Sequence, residues 1–251
     1  MILAKTDIGK TREINQDCYY IPTENDELQL FIIADGMGGY SGGEVASNIA
    51  VLTAKKHIEN ELNGTKRISQ GRVREILTKA FEIANEQIYE ESRKNKELEE
   101  MGTTLDICLI YNNNMYIAHV GDSRVYVIKK EAETITQLTE DDSYVQTLIN
   151  QGTITKEEAK THPDKNKLMK ALGGPTTVNA TVICRKTNLE EIYLMCTDGL
   201  TNMISDEKIL EIIINNKYIA EHKLIEEANN NGGKDNVTVV LVNTENTGNE
   251  V

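Results

Sequence analysis

Along the chain, short runs of β-branched and aromatic residues alternate with longer stretches whose apolar positions recur every three or four residues. The short runs predict strands at 2–4, 18–21, 28–34, 104–111, 115–120, 125–129, 181–184, 192–197 and 237–242. Residues 30–34, Leu-Phe-Ile-Ile-Ala, are apolar throughout, so this strand is expected to be covered on both faces. Two long helical patterns separate the third and fourth strands. In the first, from about 43 to 62, Val45, Ile49, Ala50, Leu52, Ile58 and Leu62 are expected on the buried face, after a Ser41-x-x-Glu44 capping box. In the second, from about 72 to 98, Val73, Ile76, Leu77, Ala80, Phe81, Ala84 and Ile88 keep the spacing of one buried stripe. Further helices are expected near 143–150, 156–160, 165–171, 206–215 and 219–230. Many short strands imply antiparallel sheets, and helices gathered in blocks between them indicate an α+β fold.

No Pro-, Gly- or Ser-rich linker interrupts this pattern, its three prolines are isolated, and no repeat of solenoid length recurs. One domain is therefore expected at 1–243, with a polar tail at 244–251. The 251 residues, 39% hydrophobic and 27% charged, suffice for a sizeable core. The 27 Lys and Arg against 40 Asp and Glu leave a net charge of −13, which repels phosphate backbones and anionic lipid. Neither a nucleic acid nor a membrane surface is expected as a partner. No apolar run approaches the ~18 residues of a membrane span. Lys5 and Asp7 interrupt the start before a signal-peptide core can form, so the cytoplasm is the default compartment. Cys18, Cys108, Cys184 and Cys196 are far apart, form no C-x-x-C pair and read as reduced, mostly buried thiols.

The aspartates fall at strand ends. Asp35-Gly36 ends the run 30–34, Asp198-Gly199 ends 192–197, Gly121-Asp122 follows 115–120, Asp235 precedes 237–242 and Asp17 precedes Cys18. Singly, each is an ordinary turn residue, and Asp-Gly is a common hairpin signal. Asp35 and Asp198, however, lead into helical patterns instead of returning strands. If these strand ends meet in space, the carboxylates repel one another and are costly to desolvate unless cations join them. Oxygen donors without a matching His or Cys favour hard Mg²⁺ or Mn²⁺ over Zn²⁺ or copper, and no segment has the spacing of an EF-hand loop.

Other phosphate motifs fail on inspection. Gly9-Lys10-Thr11 resembles the end of a P-loop, but Ala4 stands where the leading glycine belongs. Around 37–43, Ser41 occupies the place of the third glycine of a dinucleotide fingerprint. A G-x-S-x-G elbow is absent, so nucleophilic serine catalysis has little support.

Taken in order, several motifs resemble one family. They are Thr6-Asp7-Ile8-Gly9 with Arg12, Asn15, Gln16 and Asp17; Ala34-Asp35-Gly36-Met37-Gly38-Gly39; Gly102-Thr103-Thr104; Val120-Gly121-Asp122-Ser123-Arg124; Leu138-Thr139; Ala171-Leu172-Gly173; Thr197-Asp198-Gly199-Leu200; and Gly233-Lys234-Asp235-Asn236-Val237-Thr238. Across nearly the whole chain this is similar to the metal-dependent protein serine/threonine phosphatases of the protein phosphatase 2C type, in their bacterial form. The resemblance implies a four-layer α-β-β-α sandwich, two antiparallel sheets flanked by helices. It implies two core ions, Mn²⁺ or Mg²⁺, and a third. Asp35 would bridge the core pair, the Gly36 carbonyl would bind one ion, and Asp17, Asp198 and Asp235 would complete the other, partly through water. Asp122 and Asp198 match the third-ion positions, and Arg12 matches the phosphate-binding arginine. A hydroxide bridging the metals would then attack phosphorus in line, with Asp35 and Arg12 as the catalytic residues and no phosphoenzyme. The implied partners are phosphorylated proteins and a cognate serine/threonine kinase, with a monomer as the default.

The sequence also departs from the family pattern. Met37 replaces the histidine of eukaryotic relatives, which leaves the general acid unassigned. The usual Leu-Thr-x-Asp-His stretch ends in Asp142, and Met169-Lys170 replaces a more common Thr-Arg pair. A flap bordering the site is expected near 143–162, with His162-Pro163 at its exit. His57, His119 and His222 read as structural. A weakly active or inactive phosphoprotein-binding regulator of the same fold is the alternative reading, and phosphatase chemistry on small molecules is a third.

Overall fold

The computed structural model describes residues 1–38, 42–65 and 67–244. The expected capping box at Ser41 and the tail beyond Thr244 lie outside the described residues. One antiparallel sheet has five strands: β1 (Ile2–Asp7), β7 (Arg124–Lys129), β8 (Thr134–Gln137), β10 (Glu191–Cys196) and β11 (Val237–Asn243), ordered β1-β11-β10-β7-β8. The other contains β2 (Asp17–Tyr20), β3 (Gln29–Met37), β5 (Leu105–Tyr111), β6 (Asn114–Val120) and β9 (Thr181–Lys186) in that order, with β4 (Gly102–Thr103) paired to β3. Helices α1 (Gly42–Leu62) and α2 (Gln70–Lys94) cover the second sheet, while α6 (Asp206–Asn215) and α7 (Ala220–Asn230) cover the first.

Strand periodicity produces these layers. On β3, Leu30, Ile32 and Ala34 pack against α1 and α2, whereas Phe31 and Ile33 face the opposite sheet and meet Val125, Tyr193, Met195 and Val240. All five residues are fully buried, which explains the unbroken apolar run; each large side chain buried in this way contributes about 1.5–3 kcal/mol. The fold is thus the four-layer sandwich expected.

The α2 stripe is buried as expected, and Ser69 caps that helix by accepting from the Arg72 N–H. In α1, Ala50, Ile58 and Leu62 are buried as expected, but the face is turned from the one expected. Ala46, Ala50, Ala54, Ile58 and Leu62 form an every-fourth-residue row against the sheet, while Leu52 is 63% exposed and Val45 and Ile49 are only partly covered. Small side chains let α1 approach the sheet closely, a contact that hydrophobicity alone did not rank.

Residues 165–171 are not helical. The Lys167 carbonyl instead accepts from Tyr144 N (2.8 Å), and Met169 N donates to the Asp142 carbonyl (2.7 Å), pairing this segment with 142–144. Between those stems lie α3 (Tyr144–Asn150) and α4 (Lys156–Lys160), the latter closed by a Thr155–Glu158 capping box. Three short elements lie outside the expected runs: the two-residue strand β4, the polar edge strand β8 and the single-turn helix α5 (Asp198–Thr201). No described helix is long and apolar enough to cross a membrane.

Candidate metal centre

Asp17 and Asp35 are register partners on β2 and β3, so both side chains lie on the face turned toward the other sheet, in series with Tyr19, Phe31 and Ile33. The opposite sheet brings Asp198 at the start of α5, just after β10, and Asp235 just before β11. Asp122 follows Gly121 in the turn between β6 and β7, and that glycine adopts φ +122°. Neither Asp-Gly pair makes a hairpin. A Cβ on Gly36 would lie 2.1 Å from the Gly43 carbonyl oxygen, and one on Gly199 would lie 1.9 Å from the Asn236 carbonyl oxygen. Glycine is required at both places because another backbone crosses there.

Backbone and side-chain bonds fix the acidic groups. The Asp35 N–H donates to Thr104 Oγ1 (2.9 Å), and its carbonyl accepts from Thr103 Oγ1 and Thr104 N, both at 2.9 Å. Asp17 Oδ2 accepts from Thr238 Oγ1 (2.6 Å) and Thr197 Oγ1 (2.9 Å), while the buried Oδ1 has no protein partner. Asn236 Oδ1 accepts from Gln16 N, and Asn236 Nδ2 donates to the carbonyls of Ile8 and Ile14. Arg12 donates to Asp235 Oδ2 at 2.7 Å.

The five aspartates are partly buried and electrostatically linked. Burial raises Asp17 to about 7, against the pull of its Thr238 and Thr197 bonds and with added repulsion from Asp198 and Asp235. Burial and then the charges of Asp17, Asp198, Asp122 and Asp235 hold Asp35 well above the usual carboxylate range. Burial and Asp198 push Asp122 up to about 8; burial and Asp235 push Asp198 to about 6, with its carboxyl in hydrogen-bonding reach of Asp35.

The donor set is all oxygen, crowded and anionic, and includes an orphaned buried carboxylate oxygen, which fits a hard divalent cation. Among the described residues no three acidic, His or Cys side chains enclose one point as a finished cage. The arrangement suits an ion that keeps several of its waters. Every site residue expected from the sequence lies in this region: Asp17, Asp35, Asp122, Asp198 and Asp235 in mutual repulsion, Gly36 beside Asp35, and Arg12 on Asp235. An apolar cavity of about 200 Å³ lined by Met1, Leu3, Ile192, Tyr218 and Leu241 is built from other residues and contains none of the aspartates.

The supporting residues Thr103, Thr104, Thr197, Thr238 and Asn236 received no role from the sequence. Their signal was weak: polar residues inside or beside apolar strands, next to the informative aspartates. The family departures acquire partners. Asp142 accepts from Gly121 N (3.2 Å) and from Lys170 Nζ (2.5 Å), and its own N–H donates to the Gly121 carbonyl (2.6 Å). Asp141 takes Arg124 through both carboxylate oxygens. His119, read as structural, is a buried partner of Asp106 (2.7 Å) and of the Glu140 carbonyl (3.0 Å).

A two-sheet sandwich flanked by helices, with acidic groups of both sheets meeting at one end, defines the class. A family profile described as Protein phosphatase 2C matches residues 9–227, and the chain belongs to that family. It is similar to the serine/threonine protein phosphatase PstP of Mycobacterium tuberculosis, 39% identical over 239 residues, covering 95% of this chain and 44% of PstP. It is also similar to the serine/threonine phosphatase stp of Listeria welshimeri, 36% identical over 242 residues, covering 95% of this chain and 93% of the relative. Among solved structures, the catalytic domain of PstP in complex with two manganese ions matches with TM-score 0.81 and 37% identity, over 96% of each chain. The chain thus spans less than half the length of PstP but nearly all of the Listeria protein.

Proposed function

We propose that this protein is a Mn²⁺- or Mg²⁺-dependent phosphatase that hydrolyses phosphoserine and phosphothreonine in proteins. The convergence of five carboxylates from two sheets carries the reading, because such a group is unfavourable without cations. The family and the names of its relatives support the substrate class, and the manganese in the PstP structure supports the cofactor.

In this reading Asp35, fixed by Thr103 and Thr104, would hold the core ions together with the Gly36 carbonyl, Asp17, Asp198 and Asp235, and Asp122 with Asp198 would hold a third ion. The ions would supply an activated water nucleophile and offset charge on the phosphoryl group. Arg12, whose side chain is 50% exposed, exchanges Asp235 for two phosphoryl oxygens, its planar fork orienting the ester and stabilising charge as it develops. The segment 143–162, containing α3 and α4, serves as a flap that selects the phosphorylated chain, and a cognate serine/threonine kinase supplies the substrates.

Phosphate release from a phosphothreonine peptide tests this directly. It is expected only with added Mn²⁺ or Mg²⁺, and Asp35→Asn or Asp198→Asn is expected nearly to abolish it. Full turnover in excess chelator overturns the reading.

A further inference from the structure

Thr6, Asn15 and Thr238 belong to the motifs that mark the family, yet none touches the reacting groups in the proposed mechanism. Hydrogen-bond direction gives them a task. In the ionised state that a cation requires, Asp17 Oδ2 can only accept, so Thr238 spends its one hydroxyl hydrogen there, at 2.6 Å. In the 2.7 Å contact between Thr6 and Thr238, Thr6 must then be the donor. Thr6 in turn accepts from Asn15 Nδ2 (2.9 Å), and Asn15 Oδ1 accepts from the backbone N–H of Asp17 (3.1 Å). The result is a closed ring: Asp17 N to Asn15, Asn15 to Thr6, Thr6 to Thr238, and Thr238 back to the Asp17 carboxylate. Thr197 adds a second donor to the same Oδ2 while accepting from Thr238 N (3.0 Å).

We propose that this ring, with Thr197 beside it, makes Thr238, Thr6, Asn15 and Thr197 positioning residues for Asp17, binding one carboxylate oxygen to the protein and reserving the other for a divalent cation. Thr197 and Thr238 are fully buried, and both belong to the sheet opposite Asp17 or its margin, so the ring also joins the two sheets at the site. A carboxylate held through one oxygen cannot turn to chelate through both, and Oδ1 is the atom without a protein partner. Successive donors pointing one way strengthen one another, and the charged acceptor makes the last bond the strongest. The inference rests on the metal reading of the aspartates.

The test is calorimetric titration of Mn²⁺ alone into chelator-treated, dialysed protein, for wild type, Thr238→Ser, Thr238→Ala and Thr6→Val. Serine and alanine both lose the buried methyl and differ only in the hydroxyl, so their comparison separates positioning from packing. Thr238→Ala is expected to bind Mn²⁺ about 10–100-fold more weakly than Thr238→Ser, the usual effect of removing a group that orients a metal ligand. Thr6→Val, one bond further from the carboxylate, is expected to fall between them. Thermal melts confirm folding, and the Mn²⁺ concentration for half-maximal phosphatase activity should shift by the same factors. Equal Mn²⁺ affinity in the folded serine and alanine variants overturns the proposal while leaving the metal reading intact. A wild-type protein that takes up no Mn²⁺ overturns both.

Discussion

The carboxylate of Asp142 meets the ammonium of Lys170 at 2.5 Å across the neck of the segment that carries α3 and α4. The same carboxylate receives the Gly121 N–H, one residue before Asp122. Two departures from the family pattern are therefore partners, and together they tie the neck to the turn holding one of the aspartates. Lys170 is 48% exposed, so the ion pair is worth at most ~1 kcal/mol. Lys170→Met is expected to leave the denaturation midpoint nearly unchanged but to raise KM for a phosphopeptide, and Lys170→Arg to restore it. Steady-state kinetics beside a urea titration checks both halves.

The His119–Asp106 pair gives a pH prediction. Burial works to lower the His119 pKa, but the Asp106 charge and hydrogen bond raise it to about 9, above the ~6.5 of a free imidazole. A raised histidine contributes stability that is complete below ~6.5 and is lost as pH rises through about 9. Denaturation midpoints should thus fall between pH 6.5 and 9 more steeply in wild type than in His119→Asn. Asp106→Asn, which removes one member of a buried pair, should cost about 3–5 kcal/mol at neutral pH.

For the aspartate group the sign also points downward. Asp198, Asp17 and Asp122 are raised to about 6, 7 and 8, so the folded protein without metal holds protons that the unfolded chain has released. Its stability must then fall as pH rises from about 4 to about 8. Cations that bind the folded state reverse this loss by mass action. Melting curves with and without Mn²⁺ should separate more at pH 8 than at pH 5; equal separation at both would contradict the assignment of the carboxylates to the metal.

In α1, Ala50→Leu is expected to destabilise by about 1–3 kcal/mol, because no space exists against the sheet. Leu52→Gln should stay within about 0.5 kcal/mol, a surface change. Thermal unfolding of both variants distinguishes this face from the one that hydrophobicity alone would choose.

That contrast shows what the sequence made legible. In α2 a strong apolar period coincides with burial, so its face could be read directly, and the unbroken apolar run of β3 showed that both its faces would be covered. In α1 alanines do the packing, and alanine carries little hydropathic signal. At 165–171 the helical pattern yielded to backbone pairing with 142–144, a long-range contact that local spacing does not encode. The aspartates announced themselves by position at strand ends, whereas the threonines that orient them did not, because a buried threonine in a strand resembles any other β-branched residue. Hydrogen-bond direction distinguishes it, and that requires coordinates.

Strand β11 lies between β1 and β10, preceded by Asp235 and Asn236 and carrying Thr238. The earliest strand of the chain consequently waits for the latest before it has a neighbour in its sheet. In synthesis from the N-terminus Asp17, Asp35, Asp122 and Asp198 are all made before Thr238, so the bond from Thr238 that fixes Asp17 can form only once β11 has inserted between β1 and β10.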